Sequence, residues 1–343
     1  MSATAVTTAL RRAAPALALL VSMAATAATV PPATLAETGY GRAGALGFTP
    51  QYPLWSDGAE KRRWVALPPG TAIDARQPDA WQFPRGTRLW KEFAVDGRPV
   101  ETRYIERRAD GSWLYASYVW NATGTEALLA PERGAVLAVA GAPGGRYVVP
   151  GRADCAACHA GAAVPVLGLS ALQLSPARDP LAANARPPRA GDVDLPELAA
   201  RGLLRGLPPA LLRTPPRIAA DTPTERAALG TLHANCAHCH HRAGGQVPLA
   251  LTLAQRVAAP RASRDEVVGS LLDTSSRYRP GTPPAALLAL RMGSRQPQLQ
   301  MPPLGTQVPD PEGLALIDRW LADRPLVDHL LTPELSPSPR KDP

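Results

Sequence analysis

Lysine is nearly missing from the chain. There are three, Lys61, Lys91 and Lys341, so arginine carries almost all of the positive side of a formal net charge of +8. No basic run exceeds three residues, and arginine scattered in this way suits a solvated surface, which argues against nucleic acid as a partner. An unbroken apolar stretch of the roughly 20 residues needed to span a bilayer is also lacking. No Ser-His-Asp set, phosphate loop or paired-carboxylate motif stands out. Aromatic residues are scarce beyond residue 150: 15 of the 17 lie between Tyr40 and Tyr147, and only Tyr278 and Trp320 follow. Cysteine is limited to four, and all four fall in two copies of one short pattern. The 343 residues, 45% hydrophobic and 19% charged, suffice for two or three domains with ordinary cores.

The first residues have the order of an export signal. Arg11 and Arg12 precede an apolar stretch from Ala13 to Ala25, and Ala25-Thr26-Ala27 is a small-x-small cleavage site. A signal peptide over 1–27 is expected, with a mature net charge of +6, a periplasmic location and no stable membrane anchor. The shift in aromatic content places a boundary near residue 150. Before it, Thr87 to Ala94, Val100 to Arg107 and Ser112 to Trp120 form strand-like runs separated by Asp96-Gly97 and Asp110-Gly111, pairs suited to tight hairpins. Arg63 to Leu67 and two runs within Val136 to Val149 add further strands. After the boundary, Asp194 is a cap for a short helix, Ser175 to Thr224 is an irregular wrapping segment, and Asp310-Pro311-Glu312 starts a helix to Asp323. The expected class is multidomain: a β-rich aromatic domain over 40–150, then a mainly α region. A tail over 326–343 is expected to be disordered.

Cys155-Ala156-Ala157-Cys158-His159 and Cys236-Ala237-His238-Cys239-His240 both read C-x-x-C-H. Two thiols on one turn can add across the two vinyl groups of a haem, and the adjoining histidine then offers iron an imidazole nitrogen. This is the c-type haem attachment signature. Disulfides would leave both histidines without a purpose. One shared zinc would need a shorter gap than that from Cys158 to Cys236, since ribbons use ~15–20 residues. Thioredoxin-like pairs would need a βαβ setting, which is missing. Two covalently attached haems c are therefore expected, at Cys155, Cys158 and His159 and at Cys236, Cys239 and His240.

A helix from about Thr222 to Ala234 leads into the second motif, and Gly244 to Pro248 follows it as a loop that can set a carbonyl against His240. Met301 comes 61 residues after His240, ahead of the Asp310 helix. This order over 222–325 resembles class I cytochrome c, with Ala228 where many members have glycine. The resemblance implies His240 and Met301 as the two axial ligands, a pairing that raises the reduction potential. The region 151–221, around the first motif, has no such complement. Met292, His233, His241 and His329 are the candidates for its distal ligand, and an open iron is the alternative. His238 is expected to point outward, while Arg242 and Arg291 are candidates for pairing with haem propionates.

Tyr52-Pro53-Leu54-Trp55-Ser56-Asp57-Gly58, Phe83-Pro84-Arg85-Gly86-Thr87 and Leu232-His233-Ala234-Asn235-Cys236 resemble bacterial exported di-haem c-type cytochromes, which carry a β-rich part before two haem motifs. The implied activity is electron transfer between redox partners, with an acidic partner favoured by the basic chain. A peroxidase-like oxidoreductase with an open first iron is the alternative. A third class, sugar binding by the aromatic domain, is weaker, because strand Trp and Tyr are more often core.

Overall fold

Alternation along the aromatic strands decides the architecture. A computed structural model describes residues 30–162, 164–242, 250–273 and 284–323. The expected signal peptide and the tail over 326–343 lie outside these residues. Strands β1 (Leu46–Gly47), β2 (Glu60–Ala66), β3 (Ile73–Asp74), β4 (Arg88–Val95), β5 (Arg98–Arg107), β6 (Trp113–Trp120), β7 (Ala127–Leu129), β8 (Ala135–Ala138) and β9 (Arg146–Val149) come first. Then follow α1 (Arg152–His159), α2 (Leu195–Ala200), β10 (Leu204–Arg205), α3 (Ala210–Arg213), α4 (Pro223–Cys236), α5 (Pro260–Leu272), α6 (Pro284–Gly293) and α7 (Pro311–Ala322). The chain is thus a β-rich region followed by helices.

Six strands form one antiparallel sheet in the order β1-β2-β4-β5-β6-β7. The turn between β4 and β5 is Asp96-Gly97, both at positive φ (48° and 73°), the conformation a two-residue hairpin matching the sheet's twist requires. Asp110-Gly111 acts differently. Only Gly111 is left-handed (φ 91°), and Arg108 and Ser112 close a wider loop around it.

Because side chains alternate, each face has its own character. Trp64, Trp90, Tyr104, Ala116 and Tyr118 share one face and pack under Leu35 and Tyr40. On the other face, Val65, Leu89 and Ile105 pack with Leu169, Leu174, Leu195 and Leu198 from the wrapping segment. Further along that face, Phe93 packs with Val149 and Tyr147 of the β8–β9 hairpin. Asp194 caps α2 through the Glu197 amide (2.9 Å), and the two-residue β10 pairs in parallel with β3 as a separate two-stranded sheet, which fastens this segment to the chain between β2 and β4.

The helices form a further cluster in which α4 packs on α7, α6 on α7 and α5 on α6. Its core holds Leu229, Leu232, Val267, Leu271, Leu316, Ile317 and Trp320, together with Tyr52, Leu172 and Ile218 from outside the helices. Asp310 caps α7 through the Gly313 amide (3.0 Å) and also takes both bonds of the Asn184 amide. From Pro31 onward the described residues belong to one compact unit. No described helix is long and apolar enough to cross a membrane.

Candidate functional site

The two Cys-x-x-Cys-His segments meet in space. The first lies on α1, which Asp154 starts by accepting the Gly151 N–H (2.9 Å) and which packs over β6. That places Cys155 before Ser117, whose hydroxyl is buried without a well-formed hydrogen bond, and sets the His159 ring against Tyr115, with centroids 5.4 Å apart. His159 Nδ1–H donates to the Pro165 carbonyl (2.6 Å). The donation fixes the tautomer and leaves the Nε2 lone pair free for a ligand. Burial lowers the His159 pKa to about 4 against that bond, and the Lys91 and Arg103 charges push the same way. The ring is therefore neutral.

The second motif leaves the end of α4. The amides of Cys239 and His240 both donate to the Cys236 carbonyl (3.1 and 2.9 Å), and the His240 carbonyl accepts from Leu253 (2.8 Å). His240 is 8% exposed, and burial, then the nearby Arg291 and His241, lower its pKa. Its Nδ1 is buried with no partner among the described residues. The loop expected to supply a carbonyl, 244–248, falls outside them. Met301 is half-buried, and its amide donates to the Arg291 carbonyl (2.9 Å). Arg291 thus ties Met301 to the neighbourhood of His240.

The contact between the motifs is direct. His241 Nε2–H donates to the Gly161 carbonyl (2.9 Å), two residues past the first motif. Burial raises the Cys158 thiol to about 11, and the neighbouring Cys239 adds to the rise. Burial likewise lifts Cys236 to about 12 and raises Cys155 and Cys239. His238 does not point outward as expected. It is half-buried, held near pKa 4 by burial, and has His240, Lys91 and His241 around it and His159 within electrostatic reach.

The distal candidates separate on their bonds. His233 Nδ1 accepts the Gln255 amide (3.1 Å), so neutral His233 carries its proton on Nε2 and has no free nitrogen for iron. Met292 packs with the helical core. His241 keeps a buried, unpartnered Nδ1. His329 lies outside the described residues. Of the arginines, Arg242 pairs with Glu266 (3.6 Å) on the surface.

Sequence reasoning missed the wall opposite the first motif. Strand register sets Arg63, Lys91, Arg103 and Ser117 side by side on four adjacent strands, with Lys61 two residues from Arg63 on the same face. Burial lowers Lys91 well below its ordinary pKa, as do Arg63, Arg103 and Lys61 around it; burial also brings Lys61 to about 7 and Arg63 to about 10. The available signal was phase: Leu89, Lys91 and Phe93 alternate on one face, which sets a half-buried lysine between two core residues.

Residues 51–58 staple the second motif to the β-rich region. The Tyr52 ring lies on Gly230 of α4, and its hydroxyl donates to Asp179 (3.0 Å). Asn235, next to Cys236, accepts the Trp55 amide (2.7 Å), and Asp57 accepts the amides of Gln307 and Val308 (2.8 and 3.0 Å).

Chemically, the four cysteines are unbridged, and among the described residues no three His, Cys, Asp or Glu side chains converge as a cage for a metal ion. Burial disfavours each thiolate, whereas a thioether carries no charge and suits the same surroundings. At each motif the donor set of two thiols and one neutral imidazole fits a porphyrin held by two thioethers and one nitrogen. Comparison with protein-family models, curated proteins and solved structures yields no match.

Proposed function

We propose that the chain is an exported, periplasmic di-haem c-type cytochrome that relays electrons between redox partners. The observation that carries this reading is the meeting of two C-x-x-C-H motifs, 81 residues apart in sequence, through the His241–Gly161 bond and the Cys158–Cys239 proximity. Haem, when bound, supplies one-electron chemistry at iron. Cys155 and Cys158, and Cys236 and Cys239, would anchor it; His159 and His240 would each offer the iron an imidazole nitrogen, with the His159 ring oriented by the Pro165 carbonyl. Met301, tied through its amide to Arg291 near His240, would offer its thioether to the iron held at the second motif. The packing of α4 on α7 accords with the resemblance of 222–325 to class I cytochrome c. The basic chain would steer an acidic partner.

The second reading is a peroxidase-like oxidoreductase with an open first iron, favoured because two of the candidate distal ligands are engaged elsewhere, His233 at Nδ1 and Met292 against the helical core. Purified, matured protein decides. Pyridine haemochrome should give two haems per chain, with a c-type α-band on reduction. A colourless protein with the mass of its polypeptide overturns the proposal. Carbon monoxide binding to the reduced protein would favour the enzyme, and two inert low-spin irons the relay. Met301→Ala is expected to lower the midpoint of one haem, and an unchanged midpoint removes Met301 from the ligand set.

A further inference from the structure

The sheet face that looks toward the motifs carries more positive charge than the protein answers. Arg63, Lys91 and Arg103 stand directly opposite one another on β2, β4 and β5, and Lys61 shares their face. Like charges opposed across strands destabilise a sheet. The one carboxylate on this face beside them, Glu101, is fully buried and already committed: it accepts from Arg103 (2.9 and 3.1 Å) and from the Tyr147 hydroxyl (2.7 Å). Asp57 and Asp310 act on Lys61, and Asp192 on Arg63, from beyond ion-pair distance. Among the described residues the side chains of Lys61, Arg63 and Lys91 make no hydrogen bond or ion pair. Lys91 has the Phe93 ring 4.8 Å from its Nζ, and the charge of Glu101 acts on it from beyond ion-pair distance.

Lys61, Arg63 and Lys91 are half-buried between two apolar clusters, so an anionic ligand that covered them would stabilise the row. The row points to where that ligand sits. It ends at Ser117, in front of Cys155, and the adjoining row ends at Tyr115, stacked on His159. We propose that Lys91, flanked by Arg63 and Arg103, binds the carboxylates of the group seated at the first motif, and that these are the propionates of its haem. This rests on the haem reading above. Two carboxylates would bring the row close to neutrality and would give the β-rich region a direct part in the site.

The test is a redox titration of the matured protein, with Lys91→Met and Lys91→Arg compared to wild type. Removing a cation beside a haem favours the ferric state. With Lys91→Met we expect two haems per chain, unchanged spectra, and a midpoint for one haem lowered by about tenfold in its one-electron equilibrium, roughly 59 mV; Lys91→Arg should restore it. Arg63→Gln, at the row's other end, should give a smaller fall at the same haem and serves if Lys91→Met does not mature. Unmoved midpoints in both variants, at two haems per chain, overturn this inference alone. A change of spin state in Lys91→Met overturns it by making Lys91 an iron ligand. A saturable shift of the wild-type midpoint by succinate, lost in Lys91→Met, overturns it in favour of a free dicarboxylate. No haem in wild type overturns the underlying reading, and this inference with it.

Discussion

Gly230 is the sharpest single test of how the second motif is held. It lies on α4 six residues before Cys236, and a Cβ there would fall 2.1, 2.3 and 2.6 Å from atoms of the Tyr52 ring. Ordinary carbon contacts are about 3.5–4.0 Å, so the ring would have to move by more than an ångström. Tyr52 is 3% exposed and its hydroxyl is bonded to the buried Asp179, which leaves it little freedom. Overpacking costs roughly 1–3 kcal/mol. A displaced Tyr52 would strand a buried hydrogen-bonding group, a further cost of about 1–3 kcal/mol. Against this, alanine gains about 1 kcal/mol of helix propensity over glycine. Gly230→Ala should therefore destabilise the protein by about 1–5 kcal/mol, seen as a lowered thermal midpoint. In a Tyr52→Leu background the same change should cost far less, because the clash is gone. If Gly230→Ala melts at or above wild type, the packing of residues 51–58 on α4 is wrong.

Asn235→Ala removes the acceptor of the Trp55 amide and the donor to the Thr231 carbonyl (2.9 Å), and a loss of roughly 1–3 kcal/mol in thermal or urea unfolding is expected. His233 should make stability fall with acid. Burial depresses its folded pKa to about 4 from an unfolded value of about 6.5, so the unfolded chain takes up the proton first as pH drops. The contribution is complete above about 6.5 and is lost on the way to about 4. His233→Gln should flatten the urea-midpoint profile over that window, and an identical profile would show that His233 does not titrate there.

Local signals were legible in the sequence. Asp194 and Asp310 cap the helices expected of them, and Asp96-Gly97 turns the expected hairpin, because each acts through bonds to residues within a few positions. The strand runs were found within a few residues, since alternation is set by the sheet's two faces. What escaped is long-range. The pairing of β10 with β3, the Tyr52–Gly230 contact and the Trp55–Asn235 bond join residues more than a hundred positions apart, and no local pattern marks them. The cationic row was hidden for another reason: Arg63, Lys91 and Arg103 become neighbours only once strand register is known. His238 looked like a surface residue because an odd position within a motif carries no information about what packs over it.

These long-range ties give the β-rich region a structural purpose that its aromatic content does not suggest. α1 follows β9 directly and lies over β6, so the sheet positions the first motif. α4 is gripped by residues 51–58, which lead into β2, so the same sheet positions the second. Tyr52, Leu172 and Ile218 are each about 3% exposed within the helical core, though none belongs to its helices. Burying a large apolar side chain is worth roughly 1.5–3 kcal/mol, so these three supply about 5–9 kcal/mol. That is comparable to the whole stability of many proteins, about 5–15 kcal/mol. The segment holding α4 to α7 is therefore not self-sufficient, however closely its order resembles a free-standing module. For the relay proposed, the separation of the two haems would be set by one rigid frame rather than by a hinge between domains, and the His241–Gly161 bond would close that frame where the motifs meet.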